Sequence, residues 1–134
     1  MLKIHAENPE LWFRPSPFVS LIKLEELISE RRLTATIRCG KRDLTHEKGY
    51  VPEQLVTLRL FDHTNQQILL KEIRIQSVES FQVNSIEWKH IDLLMVYNDY
   101  QSIKEDLSFF ERRPIGDDEF VSLVRFQYVG KKHD

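Results

Sequence analysis

The chain is poor in the residues that would place it quickly. One cysteine, Cys39, stands among 134 residues, so no disulfide forms within the chain and a reducing, cytoplasmic setting is expected. Only four glycines are present. None belongs to a G-x-G-x-x-G, a P-loop or a G-x-S-x-G, so phosphate-cradling and nucleophile-elbow chemistry are not expected. No apolar run approaches the roughly 18–20 residues that span a bilayer as a helix. The start, MLKIHAENPELWF, lacks the basic and apolar regions of a signal peptide, and no membrane partner is expected. The histidines, His5, His46, His63, His90 and His133, are scattered without acids at ligand spacing. Neither a metal nor any other cofactor is therefore expected.

What is present reads as one globular domain over residues 1–134, with 41% hydrophobic and 30% charged residues and enough chain for a real core. The net charge is −2, but it is unevenly laid out. Residues 31–48 carry six Lys and Arg against two acids, a net of +4, whereas residues 79–119 carry four against ten acids, a net of −6. Such a layout lets a basic patch meet an anion while the whole chain stays acidic, although both stretches also read as solvated faces.

Hydrophobic spacing gives the elements. Residues 2–5 read as a short strand, followed by a stretch that Pro9, Pro15 and Pro17 keep irregular, with Trp12 and Phe13 as a plug over the core. Leu21, Leu24, Leu27 and Ile28 share one face of a helix from Ser20 to about Arg31. Strands are expected at 34–39, 54–61 and 68–81, the last two as a hairpin with Ile73 and Ile75 inward across from Leu58 and Leu60. Helices follow at 86–96 and from Asp99 or Ser102 to about Phe110, the latter burying Leu107 and Phe110. A closing strand covers 119–129. Successive strands without intervening helices imply a mostly antiparallel or mixed sheet, an α+β fold.

One segment, RRLTATIRCGKRD at 31–43, invites a chemical reading. Alternation puts Ala35, Ile37 and Cys39 on one face and Thr34, Thr36 and Arg38 on the other. Cys39 reads as a small core residue on the apolar face. Three polar side chains after Arg31 and Arg32 and before Lys41 and Arg42 form a candidate anion site, since hydroxyls and guanidiniums bind phosphates or base edges. A solvated strand face is the bland alternative.

The run of helix, RRLTATIR, a loop with KRD and a Gly, two strands, two helices and a closing VRF strand resembles the ASCH domain family, a branch of the PUA-like superfamily. YNDYQSIKEDLSFF resembles the family's later helix, and VSLVRF its last strand, so the similarity runs from about residue 18 to 127. It implies a small mixed β-barrel of five to six strands flanked by two to three helices, with a cleft where the motif meets the helix. It also implies RNA-linked roles. Some small bacterial members are amidohydrolases of N4-acetylated cytidine that use a Lys and a Thr of this motif with a downstream Glu. Here Thr34, Thr36 and Arg38 match, but Leu33 stands at the Lys position and Arg31 at a Gly position. No acid clearly matches the Glu; Asp92 and Asp99 lie in its region. A guanidinium does not give up its proton to replace the Lys.

The expected function is therefore a noncatalytic RNA- or nucleotide-binding module, with Arg32, Thr34, Thr36, Arg38, Lys41 and Arg42 as ligand-binding residues and no catalytic residue assigned. Two alternatives stand beside it. One is an amidohydrolase on an N4-acylated cytidine-type nucleoside, with Lys41 recruited as base. The other is a protein-interaction domain whose acidic helical face, Asp99, Glu105, Asp106 and Glu111, meets a basic partner.

Overall fold

A computed structural model describes residues 9–42, 49–86 and 96–130. Its strands are β1 (Glu10–Phe13), β2 (Ala35–Cys39), β3 (Leu55–Phe61), β4 (Gln67–Gln82) and β5 (Phe120–Tyr128), and its helices α1 (Leu21–Ser29) and α2 (Tyr100–Glu111). A single 3-10 turn, Val83–Ser85, follows β4. The strands form one sheet in the order β1-β3-β4-β5-β2, curled into a half-barrel. Among the described residues only β1 with β3 is parallel; the other three pairings are antiparallel. The α+β fold class expected from the sequence is the one observed.

Local chemistry explains the elements. Ser20 caps α1 by accepting the Lys23 N–H at 3.1 Å, and α1 buries Leu24, Leu27 and Ile28 at helical spacing. The helix ends as Arg31 takes the left-handed conformation, φ 58°, where glycine is favoured. In the β3–β4 turn, Asp62 accepts the N–H groups of Thr64 at 2.8 Å and Gln66 at 3.0 Å, an Asx-type closure. β4 spans 16 residues, and its register shifts between Ile75 and Ser77. A bulge of this kind lets one strand bend and serve two partners. Asp99 caps α2 through the Ser102 N–H at 2.8 Å.

The sheet buries both faces. One face packs Leu11, Phe13, Leu58, Ile75 and Phe126 with α1, while the other packs Ala35, Ile37, Val121 and Leu123 with Ile103 and Leu107 of α2. Each fully buried Leu, Ile or Phe contributes on the order of 1.5–3 kcal/mol before entropy is subtracted.

Four details differ from the sequence reading. The segment between Pro9 and Pro15 is a strand, because an edge strand pairing on one side leaves flanking prolines without a donor to supply. Trp12 is exposed while Phe13 is buried, since β1 alternates. Ile73 lies opposite Val56, and Leu58 opposite Lys71; the four apolar residues do point inward, in a register shifted along the strand. Phe110 is 44% exposed, and the buried polar residue of α2 is Asp106 at 4%. The expected strand at 2–5 and most of the expected helix at 86–96 lie outside the described residues.

Candidate ligand cleft

β1 and β2 are the two edges of the sheet, and the curl brings them to opposite sides of a cleft of about 620 Å³. Among the described residues the seam is spanned by side chains. The Arg38 guanidinium of β2 lies over the Phe13 ring of β1, 4.9 Å from its centroid, within the range of a cation–π contact. The Tyr50 hydroxyl donates to the Glu10 carbonyl at 2.6 Å, covering an acceptor on the open side of β1. Cleft volumes of this order hold small organic ligands.

The wall near β2 is built from a hydrogen-bond network. The Arg42 N–H donates to Ser122 Oγ at 2.8 Å, and Arg42 Nε to the Cys39 carbonyl at 2.7 Å. Ser122 Oγ spends its one hydrogen on the Gly40 carbonyl at 2.7 Å, which makes Ser80 the donor in their 2.9 Å contact. Arg42 is thereby fixed beside the cleft by the same serine that anchors the β2–β5 pair. Thr36 is only 9% exposed and lines the cleft with Arg38 and Arg42.

Two cleft groups have unmade hydrogen bonds. Arg38 Nε and Asp106 Oδ1 are both buried without a partner among the described residues. Burial lowers the Arg38 pKa, with Tyr50 acting against that shift; a guanidinium stays charged regardless. The other Asp106 oxygen, Oδ2, accepts the Tyr97 hydroxyl at 2.5 Å. Burial, and then the Asp106 charge and that bond, push the Tyr97 phenol well above its ordinary value, so Tyr97 serves as a fixed donor. Buried polar atoms are nearly always bonded, so an unmade donor and an unmade acceptor in one cleft stand out.

Of the residues expected at the site, Thr36, Arg38 and Arg42 line the cleft, and Arg32, Thr34 and Lys41 are not among its lining residues. Arg32 Nη1 donates to Glu30 Oε1 at 3.0 Å and stands 3.8 Å from Glu26. Thr34 is exposed just before β2, its carbonyl accepting the Phe126 N–H at 2.9 Å. Gly40, φ 87°, turns the chain, and the Lys41 ammonium sits 4.1 Å from the Phe120 ring centroid. Leu33 is 1% exposed, belongs to the α1 cluster and also lines the apolar part of the cleft. Burial pushes the Cys39 thiol up to about 11, so it is protonated at neutral pH and a poor nucleophile. Tyr50, Tyr97 and Asp106 were not singled out for the site from sequence. The signal for Asp106 was present: it shares a helical face with Ile103 and Leu107, an acid at an apolar position.

No known protein family's model matches the sequence, and no curated protein matches it. Solved structures do. The chain shares its fold with protein EF3133 from Enterococcus faecalis V583, described as DUF984, at a TM-score of 0.55 and 18% identity over 94% of this chain and 83% of that one. An ASCH domain from Lactobacillus crispatus JV V101 superposes with a TM-score of 0.49 and 15% identity over 89% of this chain and 80% of that domain. The first likeness establishes the fold alone, and the second adds no weight to it.

Proposed function

We propose that this chain is an ASCH-like module that binds RNA or a nucleotide, holding one nucleotide in the cleft between β1 and β2 without reacting on it. The observation that carries the reading is the composition of that one cleft. It gathers the guanidiniums of Arg38 and Arg42, the Thr36 hydroxyl and the aromatic side chains of Trp12, Phe13, Tyr50 and Tyr97 around a space of nucleoside size. Guanidiniums pair with phosphates and base edges in fixed geometry, and aromatic faces stack bases. Trp12 is 43% exposed, and the Arg14 guanidinium lies 5.1 Å from its ring centroid, a stacking surface at the rim. Glu10, Asp106 and Glu111 also line the cleft, which suits one nucleotide better than a long polyanion.

The noncatalytic half of the proposal rests on position 33. The resemblance wants a lysine there, and Leu33 is packed among the apolar residues under α1. Among the described residues the cleft has no lysine, so the proton-accepting amine of the amidohydrolase reading has no counterpart at hand.

Equilibrium binding of a short single-stranded RNA and of the nucleoside monophosphates at low salt tests the proposal. Binding should weaken as salt rises and should fall at least about tenfold in Arg38→Ala, the order expected for a charge-assisted contact. No binding of any of these probes would overturn it. Deacetylation of N4-acetylcytidine above a protein-free blank would overturn the noncatalytic half alone.

A further inference from the structure

The unmade bonds of the cleft say which part of a ligand belongs there. Asp106 is 4% exposed, projects from α2 into the cleft wall, and has its Oδ2 engaged by Tyr97. Its Oδ1 is open. A carboxylate only accepts, so a ligand group that meets Oδ1 must bring an N–H or O–H. Arg38 Nε is the reverse case: it only donates, and it needs an acceptor. A phosphate satisfies Arg38 and repels Asp106. The deep end of the cleft therefore suits a neutral edge with a donor beside an acceptor.

Resting on the nucleotide-binding reading, we infer that Asp106 sets the base preference of the cleft: its free Oδ1 takes an N–H of a base's exocyclic amino group, and Arg38 Nε donates to the ring acceptor beside that group. Cytosine, adenine and guanine each present an amino group next to a ring nitrogen with a lone pair. Uracil has no amino group. Its one ring donor in reach lies between two carbonyls, so a carboxylate meeting it also faces the lone pairs of a second oxygen. A buried site that wants a donor rejects an analogue lacking it, because its own polar atom is left unpaired. Asp106 is thus a specificity-determining residue, and Tyr97 a positioning residue that holds the carboxylate through its other oxygen.

The test compares cytidine monophosphate with uridine monophosphate, which differ at the reading edge by amino for keto and by a ring lone pair for a ring N–H. Wild-type protein should prefer the cytidine nucleotide by about tenfold or more, the order of a good base-edge contact. In Asp106→Asn the side-chain amide both donates and accepts, so the preference should fall to the part that Arg38 and the ring nitrogen supply. Tyr97→Phe should bind both nucleotides more weakly and keep the preference. A probe of the unaltered protein guards against a variant that fails to fold: N4,N4-dimethylcytidine monophosphate has no amino hydrogen and should bind no better than the uridine nucleotide. Equal affinities in wild type, a dimethylated base bound as well as cytosine, or a preference undiminished in Asp106→Asn would each overturn the inference. Nucleotides that bind without preference would leave the binding module standing and remove only Asp106's role. Failure of all nucleotides and RNA to bind would remove both.

Discussion

Residues 31–42 divide into two halves of nearly the same composition and opposite fates. Thr36, Arg38 and Arg42 enter the cleft, whereas Arg31, Arg32, Thr34 and Lys41 do not line it. Arg31 Nη1 donates to the Gly130 carbonyl at 2.9 Å, Arg32 pairs with its own helix, and Lys41 rests on Phe120. The cause is placement. Where the strand runs along the seam between sheet edges, its Thr36 and Arg38 side chains meet a second wall; the chain turns outward just before it and at Lys41, and Arg42 is brought back by its bonds to Ser122 and the Cys39 carbonyl. A high density of positive charge in a sequence therefore marks a candidate segment, while the fold decides which of its charges can meet a ligand.

That contrast can be broken most forcefully at its boundary. Leu33→Lys puts an ammonium on the apolar wall of the cleft, in the cluster that holds Leu24, Leu27 and Ile28, and burying a charge there should cost about 3 kcal/mol of stability. Thermal unfolding would show it as a clear fall in Tm. Next in size, Ile103→Ala removes the apolar contact behind β2 on the α2 side and should cost about 2–4 kcal/mol, read by denaturant unfolding. Third, Arg32→Ala and Lys41→Ala should each change nucleotide affinity less than about twofold, because exposed charges contribute little at short range. A loss as large as that of Arg38→Ala would move the site to the exposed half.

The smallest effect concerns the acidic part of the chain. Arg113 grips Glu119 with two bonds of 2.8 Å, and the Gly116 N–H adds a third at 2.6 Å. Together they hold the Glu119 carboxyl down at about 2. A carboxyl lowered on folding stabilises the fold above its unfolded pKa of about 4.3, and that contribution fades as pH falls toward about 2. Glu119→Gln should flatten the acid limb of the stability profile across that window and leave nucleotide affinity unchanged.

The sequence disclosed the parts that local periodicity controls. α1, α2, β2 and the hairpin of β3 and β4 were legible because Leu24, Leu27 and Ile28 repeat at helical spacing and Ala35, Ile37 and Cys39 alternate. β1 was hidden: four residues between prolines carry little pattern, and their partners in β3 are 47 positions on, as Glu10 opposite Thr57 shows. The same distance hid the site. Thr36 and Arg38 were visible on their strand, but the facing wall of Phe13, Tyr50, Tyr97 and Asp106 comes from four separate segments that only the curl of the sheet brings together. Asp106 belongs by composition to an acidic helical face; its place between Ile103 and Leu107 sends it inward.

The central claim is that the seam, and not the exposed basic half of the segment, is where a ligand sits. Backbone amide shifts recorded during titration with cytidine monophosphate test it most directly. Perturbations are expected at Thr36, Arg38, Tyr97 and Asp106, with quiet signals at Arg32, Thr34 and Lys41. Perturbations confined to Arg31, Arg32, Thr34 and Lys41 would contradict it.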